Sequence, residues 1–135
     1  MGFEHWKLIR ACERLLTLDG HRYGLERELC LKLIRTLLGT PRGPFLVPLS
    51  VLRLLVAMAE HPDDKLRAPT IETLCELAVL NPQGAFECGA IKLLFSLLVE
   101  GPKELLDAIV LTVLHLLDAQ DSRVFIRPNV ELEVL

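Results

Sequence analysis

"NPQGAFECGAIKLLFSLLVEGPKELLDAIVLTVLHLL", Asn81 to Leu117, crowds an Asn-Pro, two glycines, an acid and a cysteine ahead of two leucine-rich runs parted by Gly101-Pro102. Such a crowd could be a catalytic loop, a ligand loop or a corner between helices, and its punctuation argues for the corner. Pro82 can open a short helix, because the N–H it lacks is one that a helix start leaves unbonded anyway. Asn81, as the residue before a proline, is pushed out of the α region and closes the helix before it. Gly89 can end the short helix by adopting positive φ. Phe86 is then expected to be its inward anchor. Ala90–Glu100 and Leu105–Ala119 follow as two longer helices, turned at Gly101-Pro102.

The rest of the chain obeys the same grammar. Glu4–Leu18 carries Leu8, Ile9, Cys12, Leu15 and Leu16 on one stripe and stops at Asp19-Gly20. Leu25–Leu38 repeats the pattern and ends at Gly39, with Pro41 beyond. Pro48–Glu60 is apolar nearly all round, which marks a central helix. His61–Asp64 turns the chain into Lys65–Leu80, where Pro69 is tolerable only in the first turn. No segment alternates cleanly between turn signals, so an all-α fold is expected. Composition agrees: 51% of the 135 residues are apolar but only 5% aromatic, and leucine favours helix where strands prefer aromatic and β-branched side chains. That much apolar surface, with a mean hydropathy of +0.38, also excludes disorder.

Shifting the chain by 40 superimposes it on itself. Val51 falls on Ile91, Leu54 on Leu94, Met58 on Leu98 and Pro62 on Pro102; then Leu66 on Leu106, Ile71 on Leu111, Leu74 on Leu114 and Leu77 on Leu117. Leu31, Ile34 and Leu37 join the same columns one shift earlier. A period of about 40 residues built of helices and Gly/Pro turns is the length of an armadillo or HEAT unit. Such a hairpin cannot bury both faces alone, so neighbours stack around a shared core. The expectation is a right-handed α-solenoid of about three armadillo/HEAT-like repeats forming one domain over residues 1–135. Its units are 1–40, 41–80 and 81–120, with 121–135 beginning the next.

Chemistry finds little support. GxxxxGK[ST], GxGxxG, GxSxG and HExxH do not occur, and the histidines at 5, 21, 61 and 115 are scattered. Cys12, Cys30, Cys75 and Cys88 have no CxxC spacing, so the reading is of reduced, structural thiols in an intracellular chain, with no metal and no cofactor. Cys88 precedes the helix at Ala90, yet Glu87 beside it opposes activation, and packing is the better account. Asp63-Asp64 and Asp118 with Asp121 lie at turns, where capping and solvation suffice. A net charge of −3 argues against nucleic acid, and no small-molecule substrate is indicated. Phe45–Ala59 is too short and too broken by Pro48 and Arg53 to span a membrane. Lys7, Arg10 and Arg14 do share one helix face, the geometry of a weak membrane-surface contact. The partner-facing ridge is assigned to Lys32, Arg35, Glu72, Glu76, Thr112 and His115; Glu72 and Glu76, at i and i+4, are expected to face water or a basic partner.

Three segments narrow the family. "LERELCLKLIRTLL" (Leu25–Leu38), "LVAMAEHPDDKLRAPTIETLCELAVLNP" (Leu55–Pro82) and "LHLLDAQDSRVFIRPNVELEVL" (Leu114–Leu135) together resemble the N-terminal region of the Rictor family, the scaffold subunits of target-of-rapamycin complex 2, in a fungal version. The resemblance covers Leu25 to Leu135, and before it "EHWKLIRACERLL" rests on helical periodicity alone. It implies a piece of a larger helical-repeat domain with no catalytic residues. It further implies a cytoplasmic scaffold, peripheral at membranes within its complex, that holds the kinase, a Sin-type substrate-recruiting subunit and regulators together. The rival is a stand-alone armadillo adaptor reading a linear peptide. An apolar end face, prone to self-association, belongs to the fragment; a polar cap belongs to the adaptor.

Overall fold

The computed structural model describes residues 5–118, with side chains from Trp6 onward. The expectations placed on Ala119, Asp121 and the C-terminal segment of the resemblance from Ala119 to Leu135 lie outside these residues. Within them the chain is helical and contains no strand. The helices are α1 His5–Leu16, α2 Gly24–Leu38, α3 Gly43–Leu46, α4 Leu49–Glu60, α5 Arg67–Leu80, α6 Pro82–Glu87, α7 Ala90–Glu100 and α8 Leu106–Asp118, the last preceded by a 3-10 turn over Lys103–Leu105.

Local signals set most of these boundaries. Pro82 begins α6, and Asn81 caps it by accepting the Gly84 N–H at 3.0 Å. Gly89 stands between α6 and α7 with φ +90°, the one positive φ among the described residues. Gly39 ends α2 in a right-handed conformation, its N–H shared between the Arg35 and Thr36 carbonyls. The sequence misses only α3, whose single turn is too short to show a period. Its signal is Gly43-Pro44, a counterpart of Asn81-Pro82. Glycine is required there for another reason: a Cβ on Gly43 would run into the Leu37 carbonyl oxygen.

Packing arranges the long helices as pairs, α1 with α2, α4 with α5 and α7 with α8, which stack into two layers. One layer is α1–α4–α7 and the other α2–α5–α8, with α3 and α6 set at the corners. Asn81 joins the two corners by donating its side-chain N–H to the Pro44 carbonyl at 3.0 Å. α4 is a central helix of its layer, packed against α1, α5, α6 and α7, and α5 is enclosed more deeply still: it packs against α2, α4, α6, α7 and α8, and Thr70, Ile71, Thr73, Leu74, Leu77 and Ala78 are fully buried. An apolar composition measures how much a helix can bury, whereas its place in the stack decides how much it does. Phe86 is also corrected: it is 37% exposed, and Ala85 is the residue of α6 that faces the core. So short a helix lying close against its neighbours leaves room for a methyl group, not a ring.

Burial refines the repeat. Cys30, Leu31, Ile34, Leu37 and Leu38 of α2 correspond to Thr70, Ile71, Leu74, Leu77 and Ala78 of α5 at a shift of 40, every one buried. From there to the next pair the shift is 39: Val51, Leu52, Leu55, Val56 and Met58 map to Ala90, Ile91, Leu94, Phe95 and Leu97. Thr70, Thr73, Leu74 and Leu77 likewise map to Ile109, Thr112, Val113 and Leu116. Thr73 and Thr112 even repeat one hydrogen bond, each hydroxyl donating to the carbonyl four residues back, Pro69 at 2.6 Å and Ala108 at 2.7 Å. A uniform shift of 40 survives in the sequence because neighbouring leucines hide a slip of one residue.

One charge is drawn into the stack. Arg27 lies on the buried stripe of α2 and donates from Nη2 to Asp64 Oδ2 at 2.9 Å. Asp64 Oδ1 accepts the Leu66 N–H, so one carboxylate both caps the approach to α5 and holds α2. Burial pushes this carboxyl upward, but the Arg27 hydrogen bond, the Leu66 N–H and the Arg27 and His61 charges outweigh it and hold it below its ordinary value. A folded pKa below the unfolded one adds stability above the unfolded value, which is lost as pH falls through the folded one. Asp64→Ala, which strands a buried guanidinium, is expected to cost about 3 kcal/mol in urea unfolding at pH 7. The gap from wild type should begin to narrow as pH falls past the ordinary carboxylate range and close only as it falls through the lower folded value.

Candidate functional site

The six ridge residues all fall on the α2–α5–α8 layer, and the structure sorts them. By the repeat register, Lys32 of α2 and Glu72 of α5 occupy equivalent positions on adjacent helices, both exposed. Glu76 of α5 and His115 of α8 are another such pair, with His115 exposed and Glu76 partly so. These four form two short rows across the face.

Two assignments change. Thr112 is buried, its hydroxyl spent on Ala108, and it does not face a partner. The reason is rotational: Thr112 lies in the same turn as His115 but on the stripe of Ile109, Val113 and Leu116 that seals α8 to the core. Arg35 and Glu76 form an ion pair with each other, from Nη2 to Oε1, joining α2 to α5. The basic partner foreseen for Glu76 is inside the chain. Lys32, Glu72 and His115 remain as the exposed ridge.

Sequence reasoning missed Arg27 with Asp64. A signal existed, since Arg27, Cys30, Leu31 and Ile34 share a stripe, and a charge on an apolar stripe needs a partner. It also missed the outer side of α8, where Leu106, Val110, Leu111 and Leu114 are exposed. A concavity of about 650 Å³ opens elsewhere, lined by Val56, Glu60, Arg67, Lys92 and Glu100. Arg67 is already engaged there, its Nε donating to the Ala59 carbonyl at 2.9 Å. No group of three or more potential metal-ligating side chains occurs among the described residues, and no helix there is long and apolar enough to cross a membrane.

The thiols behave as core. All four cysteines are buried and unbridged. Burial pushes Cys88 and Cys75 up, only partly offset by the Ala90 N–H at the first and the Thr112 hydroxyl at the second. Cys12 and Cys30 lie together between α1 and α2, the Cys30 thiol donating to the Cys12 backbone carbonyl at 3.9 Å; the neighbouring thiol pulls Cys12 below its ordinary value, while that neighbour and burial push Cys30 up.

The family described as "Rapamycin-insensitive companion of mTOR, N-term" matches residues 14–135. The chain is similar to Protein pianissimo A of Dictyostelium discoideum, 31% identical over 111 residues, covering 82% of this chain and 10% of that protein. It is similar to "Target of rapamycin complex 2 subunit ste20" of Schizosaccharomyces pombe, 28% identical over 117 residues, with coverages of 84% and 9%. It is similar also to "Rapamycin-insensitive companion of mTOR" of Homo sapiens, 28% identical over 113 residues, with coverages of 81% and 6%. The chain therefore spans a tenth or less of the length of these relatives, and their organisms do not single out a fungal version. No solved structure matches.

Two measurements check this account of the face. A double-mutant cycle on Arg35→Ala and Glu76→Ala should return a coupling of about 0.5 kcal/mol, since both groups remain partly exposed. The four thiols should resist a maleimide reagent in the native chain and react together once it unfolds, as followed by intact mass.

Proposed function

Because the chain belongs to the family of the N-terminal region of the rapamycin-insensitive companion of mTOR, we propose that it is a non-catalytic scaffold segment that helps assemble target-of-rapamycin complex 2 and supports its kinase signalling. The observation that carries this reading is the family match over residues 14–135, joined to relatives whose names are those of complex 2 subunits. Stacked helix pairs suit the task, since a solenoid offers a long surface and places its binding energy in a few anchors along it. In this reading the chain is a right-handed armadillo/HEAT-like solenoid of about three units, 1–40, 41–80 and 81–120, with 121–135 entering the next, and part of a longer array. The 40- and 39-residue burial register supports it. Other subunits of the kinase complex dock along the α2–α5–α8 face, at Lys32, Glu72 and His115.

The chain works in the cytoplasm and reaches membranes peripherally, through its complex. Exposed Lys7, Arg10 and Arg14 on α1 support a weak contact with an anionic surface. A stand-alone peptide adaptor would use the same ridge, but the names of the relatives favour the complex.

Affinity-tagged chain, expressed in cells and isolated gently, is expected to bring down the kinase and its companion subunits, identified by mass spectrometry. Combining Lys32→Glu, Glu72→Lys and His115→Glu should lower that recovery about tenfold with the thermal midpoint unchanged. Isolation of the chain without any complex 2 subunit would refute the scaffold reading.

A further inference from the structure

We propose that the groove between α4 and α7 takes up a linear segment of a partner protein, held by one carboxylate side chain that meets Arg67 as Asp64 meets Arg27. The stack repeats this arginine. A shift of 40 sets Arg67 of α5 on Arg27 of α2, and the Asp64 carboxylate, from the turn ahead of α5, closes the Arg27 guanidinium at 2.9 Å. A shift of 39, the register from α5 to α8, sets Lys103 on Asp64. The second junction thus keeps the guanidinium and replaces its acceptor with a cation.

Arg67 is left open. Its Nε turns back to the Ala59 carbonyl of α4 at 2.9 Å. Among the described residues neither Nη meets an acceptor, and neither is sealed from solvent. Glu104, beside Lys103, makes no ion pair with it. The cavity that Arg67 borders holds about 650 Å³, against about 300 Å³ at the junction that Arg27 and Asp64 share. A partly buried guanidinium with two donor nitrogens free is an unfilled place for a carboxylate, the acceptor whose geometry fits its fork.

Charge around the groove restricts the occupant further. Val56, Leu93 and Leu97 give it an apolar lining, with Lys92 near the start of α7 and Glu60 and Glu100 at the ends of α4 and α7. Both glutamates are exposed and form no ion pair among the described residues. Each closes a helix, where the dipole adds to its attraction for a cation. A complementary segment therefore carries one acid for Arg67, an apolar side chain for the lining and a base for the glutamates. A run of acids or a polyphosphate would meet the same two carboxylates and is disfavoured. From Lys92 to Glu100 the groove follows α7 for about 12 Å, the span of about four residues of extended chain. It opens between α4 and α7, apart from Lys32, Glu72 and His115. It requires the helix pairs but not membership of the kinase complex, so a failed co-isolation would leave it standing.

The probe is a random-peptide library displayed on phage and selected on the whole chain. The enriched peptides are expected to share one aspartate or glutamate with an apolar and a basic neighbour. A fluorescein-labelled peptide of the enriched sequence, titrated by fluorescence anisotropy, should bind about tenfold more weakly when its acid is changed to the amide, a comparison that leaves the protein untouched. Arg67→Ala and, independently, Glu100→Lys should each weaken the unaltered peptide by a similar factor, with thermal unfolding confirming that each variant folds. Lys32→Glu on the ridge should leave binding unchanged. A selection that enriches nothing, or peptides without an acid, overturns the proposal, as does binding indifferent to the acid-to-amide change or to both groove substitutions. Weakening by Lys32→Glu equal to that by Arg67→Ala would assign the peptide to the ridge, and so also overturn it.

Discussion

A helix pair built of leucine has more apolar surface than its own two faces can hide, and everything else in this structure follows from that surplus. α5 shows the solution. It is flanked by α2 on one side and α8 on the other, rests on α4, and hides Ile71, Leu74, Leu77 and Ala78 completely. No one of these neighbours would suffice, because a helix with apolar residues on more than half its circumference must be covered from more than one direction. Stacking is thus the condition for this composition to stay in water, and it leaves most polar residues on the rims and outer faces of the layers.

Several polar groups caught inside the stack are handled by a small set of local devices. Thr73 and Thr112 return their hydroxyls to the preceding turn, so a buried polar atom finds a partner without leaving its own helix. Arg27 instead crosses between elements to Asp64, and Asn81 crosses from α6 to α3. Hydrophobic contact alone would tolerate some sliding of one pair against the next. A guanidinium and an amide that must each meet one particular acceptor oppose it, which is how a core of interchangeable leucines acquires one register.

How far the face could be read from the residues depended on rotation about each helix axis. Lys32, Glu72 and His115 are exposed as read, because a charged or polar residue outside the apolar stripe has nowhere else to go. Thr112 was misassigned since threonine is compatible with either side. Arg35 and Glu76 are both partly exposed, and their pairing depends on how closely α2 approaches α5, a distance that spacing along the chain does not carry. The outer strip of α8 escaped notice for the opposite reason: every leucine in it looked like core, and only its position at the edge of the described stack exposes it.

Sequence by itself determined every helix but α3, most of the corners and the existence of a repeat, since proline, glycine and apolar spacing act within a few residues of backbone. It also carried the family, through segments that need no folding to be compared. Tertiary structure decided which helix is most deeply enclosed, that Ala85 and not Phe86 faces the core, that the second shift is 39 rather than 40, and that Arg27 belongs with Asp64. Each of these turns on what another element places alongside. A side chain's rotation about its helix is local information, but whether that side meets protein or water is settled only by the neighbour that arrives there.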